Sequence, residues 1–529
     1  MRNLVNFLLL ISAVCLILPA YADELITPKL NTSLVFKDDV IDYLKLAAKE
    51  DDSNEIFITE ENIAKSEGKK KSKLDKLKKI SRKLGLSNDD SRPAQQKEKT
   101  LLNRPFYLGG EVRGIVSAQK DYSLEKDAND DVTEFKPDET LEFFWLPSDS
   151  TAVFATARGS IESTLYKEGG GSKDPELDLE LRSLWLLQTN LFDTPFAVQI
   201  GRQRMQDNRE WWWDEYLDAA RLHYFGADVT AFIGVGMVNK PINTSTLNAL
   251  KPNDQDLLRY FGNLDWKWSK NQHAGLYIVH QDDQSSRYTL GQTISKNQAD
   301  DADARITWLG VSANGCVNTI CYWGDVAHMR GNETDYNFRN LNAQQQTVRN
   351  FSDQKLRGTA YDLGMTVKLP LSFKPRITIS RAMATGDKPR TPGRDGAFRQ
   401  TGIQQNEGKY AGNSRFQYYG EVLRPNLSNL AINTLAVGIP VTKYGWIETI
   451  WHDYRQEYAD NRISGANINN NPNGNNKNLG QEVDIIMSYR PDSPWEFELT
   501  AGAFRAGRAF EGNSGRWAKL IELRADYNF

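Results

Sequence analysis

The sequence predicts an all-β protein, a transmembrane antiparallel β-barrel of about 18 strands with a short, basic, partly helical or disordered N-terminal extension. Three observations predict it. The chain opens on an export signal, its body consists of runs in which polar and apolar residues alternate, and its last strand ends on Phe529.

The signal comes first. Arg2 supplies the positive charge, Leu4 to Leu18 is an apolar run interrupted by Asn6 and Ser12, and Ala20-Tyr21-Ala22 offers a small-x-small cleavage pattern. Residues 1–22 are therefore expected to be removed, leaving Asp23 as the mature N-terminus. The run is too short for a retained membrane anchor. Cys15 follows Val14 inside the apolar stretch, so no lipid attachment is expected there.

Residues 23–104 have a different texture from the rest. Asp38 to Lys49 reads as a short helix with Val40, Ile41, Leu44 and Ala48 on one side. Between Lys65 and Lys99 there are 13 Lys or Arg against 5 Asp or Glu, and Leu74, Leu77, Ile80, Ser81 and Leu84 recur at helical spacing. This extension is either a solvated tether, the favoured reading, or a periplasmic helix that meets an anionic polymer, a partner protein or a membrane surface.

From Pro105 to Phe529 the pattern has period 2, as in strands with one face in lipid and the other in water. Glu111, Arg113, Ser117 and Gln119 alternate with Val112, Gly114, Val116 and Ala118. Arg158 lies among Thr156, Ser160 and Glu162, opposed by Ala155, Ala157 and Ile161. Asp178, Glu180 and Arg182 oppose Leu177, Leu179, Leu181 and Trp185. Further runs lie near 194–205, 216–238, 256–282, 302–330, 357–384, 431–456 and 494–508. Loops are expected at 167–175, 239–255, 283–301, 331–356, 385–412 and 457–479, the last Asn-rich and mobile. The final strand sets Ile521, Leu523, Ala525, Tyr527 and Phe529 against Glu522, Arg524, Asp526 and Asn528. So many long strands with charges on one face imply a closed wall around water.

Composition agrees. The chain is 40% hydrophobic and 11% aromatic, with a mean hydropathy of −0.58, and barrel strands need apolar residues only at alternate positions. Losing Arg2 with the signal takes the formal charge from −4 to −5, a near-balance that excludes a general nucleic-acid binder. Cys316 and Cys321 flank a short turn and are expected to pair in an oxidising compartment, with free thiols as the alternative. No metal site or cofactor is expected. The five histidines, His223, His273, His280, His328 and His452, sit in no recognisable arrangement with a nucleophile, so no enzyme is expected.

Several blocks resemble the alginate-export outer-membrane porins. They are Gly201-Arg202-Gln203-Arg204, Trp211-Trp212-Trp213-Asp214 with Leu217-Asp218-Ala219, then Asn413-Ser414-Arg415 with Tyr419-Gly420-Glu421 and Leu427 to Leu430, and finally Leu479 to Asp484. The likeness covers roughly residues 105–529. It implies an eighteen-stranded monomer that secretes a polyuronate through a narrow, electropositive constriction, with acidic polysaccharide and outer-membrane lipid as its partners. The basic extension lies outside the likeness, and a periplasmic export partner reached through residues 23–104 is expected from its own composition. By position in the family, Arg113, Arg182, Arg204 and Arg415 resemble constriction residues and Asp214 an acidic partner that orients them. Arg158 and Arg221 join them on face parity alone. Arg381 shares parity with Ile377 and Ile379 and would need a bulge to turn inward; Arg204 has the same difficulty with Ile200.

Other readings stay open. Any one of these arginines could instead stiffen the wall through an ion pair, as Arg182 could with Glu180 or Asp178. Glu498 and Thr500, Phe143 and Phe144, and Arg524 depart from the family's charge pattern. The functional alternative is a general porin for small anionic or polar solutes. Trp211 to Trp213 are expected in the interfacial aromatic girdle rather than stacked on sugars. Gly386-Asp387 and the loop 388–394 are expected to fold inward as a gate.

Overall fold

The computed structural model describes residues 73–85, 99–126, 128, 130–170, 175–238, 256–285, 287–388, 392–409 and 414–529. The chain divides into a unit ending at Lys70, outside the described residues, and a unit from Lys71 to Phe529. The predicted signal, the predicted helix at Asp38 to Lys49 and residues 86–98 of the extension also lie outside the described residues.

Eighteen long strands follow one another round a wall. They are β1 (Arg104–Lys120), β2 (Val132–Trp145), β3 (Thr151–Lys167), β4 (Glu176–Gln188), β5 (Phe196–Gln206), β6 (Asp214–Phe225), β7 (Val229–Met237), β8 (Leu257–Ser269) and β9 (Gln272–Asp283). The second half comprises β10 (Ala302–Val317), β11 (Ile320–Asn340), β12 (Gln345–Lys368), β13 (Arg376–Ala384), β14 (Leu430–Pro440), β15 (Gly445–Gln456), β16 (Asn478–Tyr489), β17 (Trp495–Ala506) and β18 (Trp517–Asn528). Each pairs antiparallel with its neighbours in sequence. The wall closes where β1 meets β18, from Glu111 opposite Asn528 to Lys120 opposite Lys519. Closure leaves no edge, so the wall's backbone groups are paired within it and the barrel can stand in lipid.

Period 2 fixes which residues meet lipid. On β1, Leu108, Val112 and Val116 are exposed outward while Tyr107, Glu111 and Ser117 are buried on the inner side. Exposed apolar residues continue round the outer face, among them Leu186, Ile200, Ile233, Leu276, Leu309, Leu363, Ile379, Leu435 and Leu523. The parity has one informative break. On β4, Thr156 faces Ser183 but Ala157 faces Leu181, so Arg182 is the extra residue of a β-bulge. Both Arg182 and Ser183 stay inward, and Trp185, expected outside, turns inward and is buried.

The two ends differ. Turns 146–150, 189–195, 226–228, 270–271, 318–319, 369–375, 441–444 and 490–494 are short, whereas the longer connections, from β7 to β8, β9 to β10, β13 to β14 and β15 to β16, leave and rejoin the wall at the opposite end. The disulfide between Cys316 and Cys321 clamps the turn at 318–319. The expected loop at 331–356 is instead mostly strand, since β11 and β12 run on as a long ribbon joined at 341–344. Trp266, Trp268 and Trp495 are exposed near the short-turn end and Trp517 near the other, the positions expected of aromatic girdles.

Helix α1 (Lys73–Gly85) seats its apolar stripe in the short-turn mouth. Leu77 is buried in one cluster with Tyr107, Phe144, Leu146, Ala152, Phe154, Trp185, Leu187 and Ala197, all from the starts or ends of β1 to β5, while Leu74, Ile80 and Leu84 pack on it. Aromatic rings form its seat. Tyr107 stacks on Phe144 at 5.7 Å between centroids and Phe154 on Trp185 at 5.2 Å. Arg82 lies 5.2 Å from the Tyr107 ring, and Lys73, Lys76, Lys79 and Lys83 point to solvent. The free tether is therefore corrected at this segment to a docked helix.

Candidate functional site

The interior is shaped by two intrusions. The first is the tip of the β5–β6 hairpin. Pairing of β4 with β5 stops at Leu184 opposite Arg202, and pairing of β6 with β7 stops at Asp218 opposite Met237. The hairpin itself stays paired up to Gln206 opposite Asp214. Freed from both neighbours, its tip leans into the barrel, so the face that carries Ile200 lower down presents Arg204 to the interior. That resolves the parity conflict without a bulge.

A carboxylate holds this tip. Asp207 accepts backbone N–H bonds from Arg209, Trp211, Trp212 and Trp213 at 3.0–3.4 Å. The three tryptophans are buried, with Trp212 stacked on Tyr277 at 4.9 Å. They are therefore interior packing residues, not girdle residues. The outer edge of the Trp212 ring also abuts wall residue Gly310, where a Cβ would collide with it.

The second intrusion is the segment after β13. Phe398, Ile403, Phe416, Tyr418, Tyr419, Val422, Leu423 and Leu427 are buried in the same cluster as the tryptophans. Glu482 on β16 pins it by accepting the N–H groups of Val422 and Leu423 at 2.7 and 3.0 Å. Arg209 spans from the hairpin tip to Asp325 and Asp362 on the wall, at 3.1 and 2.7 Å, between the rings of Trp323 and Tyr418. Arg399 forks onto Glu333. The expected gate at 386–394 is thus displaced along the chain; residues 396–409 and 414–427 carry the inward fold. The Asn-rich loop at 457–479 is tied down too, with Ile468 buried and Asn469 bonded to Tyr122.

These intrusions fill one side of the barrel. On the other side they complete a circuit of alternating charge with β1 to β4 and β18. Arg113 contacts Glu111 and Asp526, the latter at 2.9 Å. Arg158 bonds Asp138 at 3.0 Å and stands opposite Glu180 in the ladder, which bonds Arg182 at 3.1 Å. Arg182 and Arg204 bracket the Tyr216 ring at 5.6 and 5.9 Å. Arg204 grips Asp214 with two bonds of 2.5 and 2.9 Å. Arg415 joins Glu210 and Glu407 at 2.5 and 2.9 Å. Glu407 feels Arg524, and Arg524 returns to Asp526 at 2.7 Å.

Access separates this circuit from the rest of the interior. Side chains of Arg113, Arg158, Arg182, Arg204, Arg415 and Arg524 are 16–28% exposed. Arg221 points inward but is buried, bonded to Gln199 and Gln203 and lying against the Phe232 ring. It cannot meet a solute. Arg381 is corrected outright: no bulge turns it, and it stays on the outer face with Ile377 and Ile379, bonded to Asn433 and Tyr361. Arg524 was legible from the alternation of the last strand and as a departure from the family pattern, and Glu482 falls in the family-like block Leu479 to Asp484, whereas Arg209, Arg399 and Asp207 carried no distinguishing sequence signal.

The circuit is balanced rather than electropositive. Its six guanidiniums face the carboxyls of Glu111, Asp138, Glu180, Glu210, Asp214, Glu407 and Asp526. Burial and the neighbouring Asp214 carboxylate push Glu210 up to about 8, against the pull of Arg415 and Arg204. Burial also raises Glu407, but Arg415, Arg524 and Arg424 outweigh it and hold this group below the usual carboxylate range. Such an arrangement can exchange an internal carboxylate partner for that of a passing solute.

Comparison with known proteins places the chain. A family model described as alginate export matches residues 104–521. The alginate production protein AlgE of Pseudomonas aeruginosa is 24% identical over 321 residues, 59% of this chain; the chain spans 63% of that protein's length. AlgE of Pseudomonas syringae pv. tomato is 23% identical over 369 residues, 62% of this chain and 71% of its own. Among solved structures, OccK5 (OpdH) of P. aeruginosa has a TM-score of 0.47 at 12% identity, covering 80% of this chain and 98% of its own. P. aeruginosa OprD has a TM-score of 0.44 at 10% identity, covering 80% and 95%. The barrel resides in the outer membrane, and in such barrels the short turns face the periplasm. With the match running from the first wall strand into the last, the chain belongs to the alginate export family.

Proposed function

We propose that this protein exports alginate, or a closely related polyuronate, through the charged circuit in its lumen. The observation that carries the reading is that the family match at residues 104–521 spans all six arginines of the circuit except Arg524. Each uronate residue carries one carboxylate, and a narrow passage must offset the hydration it loses. A guanidinium stays charged and meets a carboxylate with two parallel bonds. Partners already in place keep each arginine from holding the polymer so tightly that it stalls. The exposed lysines of α1 stand at the periplasmic mouth, where they can meet the acidic polymer or a periplasmic export partner.

Planar-bilayer recording tests this. Polyuronate added to the wild-type channel is expected to block ion current. Arg182→Glu with Arg415→Glu is expected to weaken that block at least tenfold and shift selectivity toward cations. Unchanged selectivity and block in the double variant would remove the circuit from the mechanism. The balanced charge of the circuit favours one second reading, a general porin for small anionic or polar solutes. Current indifferent to polyuronate while small anions pass would establish that instead.

A further inference from the structure

The outer surface carries a charge arrangement that export does not use. On β11 and β12, Arg330 and Arg357 stand directly opposite each other in the ladder. Both side chains are exposed on the lipid-facing side. Like charges directly opposite one another destabilise a sheet pair, and neither arginine has an acidic partner among the described residues. Lys355, one outward position along, is opposite Asn332 and also exposed. Nearby Arg305 is already held by Asp282 at 2.8 Å.

A cavity of about 550 Å³ opens beside this pair, lined in part by Arg357, Lys388, Arg394 and Tyr458. Its two acids are turned to the loop backbone: Glu457 accepts the N–H of Gly386 and Asp387 that of Gly396. The cations are left facing solvent.

Height identifies the solvent. Outward residues Val326 on β11, Leu309 on β10 and Leu363 on β12 form the apolar belt below. Arg330 lies ten residues beyond Ile320, the first residue of β11. At ~3.4 Å per residue and a tilt of ~40°, that is about 25 Å above the periplasmic turn, the height of the apolar band. The cluster therefore sits at the outer-leaflet headgroups.

We infer that Arg330, Arg357, Lys355, Lys388 and Arg394 form a binding site for a phosphorylated sugar headgroup of an outer-leaflet glycolipid. The facing guanidiniums clamp phosphate through paired N–H bonds. The cavity accepts the adjoining sugar, with Tyr458 as one wall. The acyl chains run down over Leu309, Val326 and Leu363. This assignment does not depend on what the lumen transports.

The test uses the full chain extracted from outer membrane in mild detergent, with bound lipid counted by native mass spectrometry. Wild type is expected to retain phosphorylated glycolipid, and Arg330→Gln with Arg357→Gln to retain at least tenfold less. Arg357→Gln alone should show an intermediate loss, and heat-modified gel migration identifies folded protein in each sample. Added inorganic phosphate at millimolar concentration should not displace the lipid, and its dephosphorylated form should not bind. Equal retention by wild type and double variant overturns the site. So does equal binding of dephosphorylated lipid, or displacement of the lipid by soluble polyuronate, which would make the cluster a landing site for emerging polymer.

Discussion

At the scale of single residues, the interior depends on close approach as much as on charge. Gly310 on β10 exists as glycine because the Trp212 ring occupies the space a side chain would need. Gly310→Leu forces that ring off the wall, an overpacking cost of about 1–3 kcal/mol. The expected outcome is a lower melting temperature with altered tryptophan fluorescence and an unchanged strand signal by circular dichroism. Retained melting temperature and fluorescence would mean the tip does not lean on this wall. Inward arginines were legible from alternation at Arg113 and Arg158, where the strand is regular. Alternation could not read Trp185, because the bulge at Arg182 shifts parity, or Arg204, because the hairpin tip leaves the sheet. The sense of a side chain follows pairing partners, and those lie far away in sequence. Arg381 shows the converse: regular pairing through Asn433 keeps it outside, as its isoleucine neighbours indicated.

At the scale of elements, α1 is the part whose spacing was readable and whose destination was not. Leu74, Leu77, Ile80 and Leu84 make an apolar stripe, but the aromatic seat is assembled from four different strands. A 13-residue helix is marginal alone in water and needs such packing to persist. Leu77→Asp places an unpaired carboxylate in that seat and costs about 3 kcal/mol or more of docking. The expected outcome is release: faster proteolysis between residues 73 and 98 and a larger single-channel conductance, with the barrel intact by heat-modified migration. Unaltered cleavage and conductance would show that the helix does not restrict the mouth. The loops divide in the same way. The long segment after β13 was legible as a loop, while its inward fold rests on Glu482 and that of the β5–β6 tip on Asp207, carboxylates that bond backbone amides rather than solute.

For the whole molecule, the eighteen-strand wall was legible because lipid on one side and water on the other impose period 2 on every strand. The balance of its lumen was not, since pairing brings together acids and bases separated by hundreds of residues, as with Arg113 and Asp526. That balance makes selectivity depend on pH. With Glu210 pushed up to about 8, the group is neutral at pH 6.5 and the circuit holds six charges of each sign. Raising the pH through about 8 ionises it and leaves one carboxylate in excess. Folding stability shares this sign: the stabilisation from Glu210's raised pKa is fully present below about 4.5 and is lost as pH rises through about 8. Reversal potentials measured between pH 6.5 and 9 are therefore expected to drift toward cation preference, with weaker polyuronate block at the alkaline end. Glu210→Gln keeps a hydrogen-bonding side chain beside Arg415 yet cannot ionise, so it should abolish the drift. A drift that persists in this variant would assign the titration to another group of the circuit, and no drift in wild type would mean that Arg415 keeps Glu210 ionised throughout.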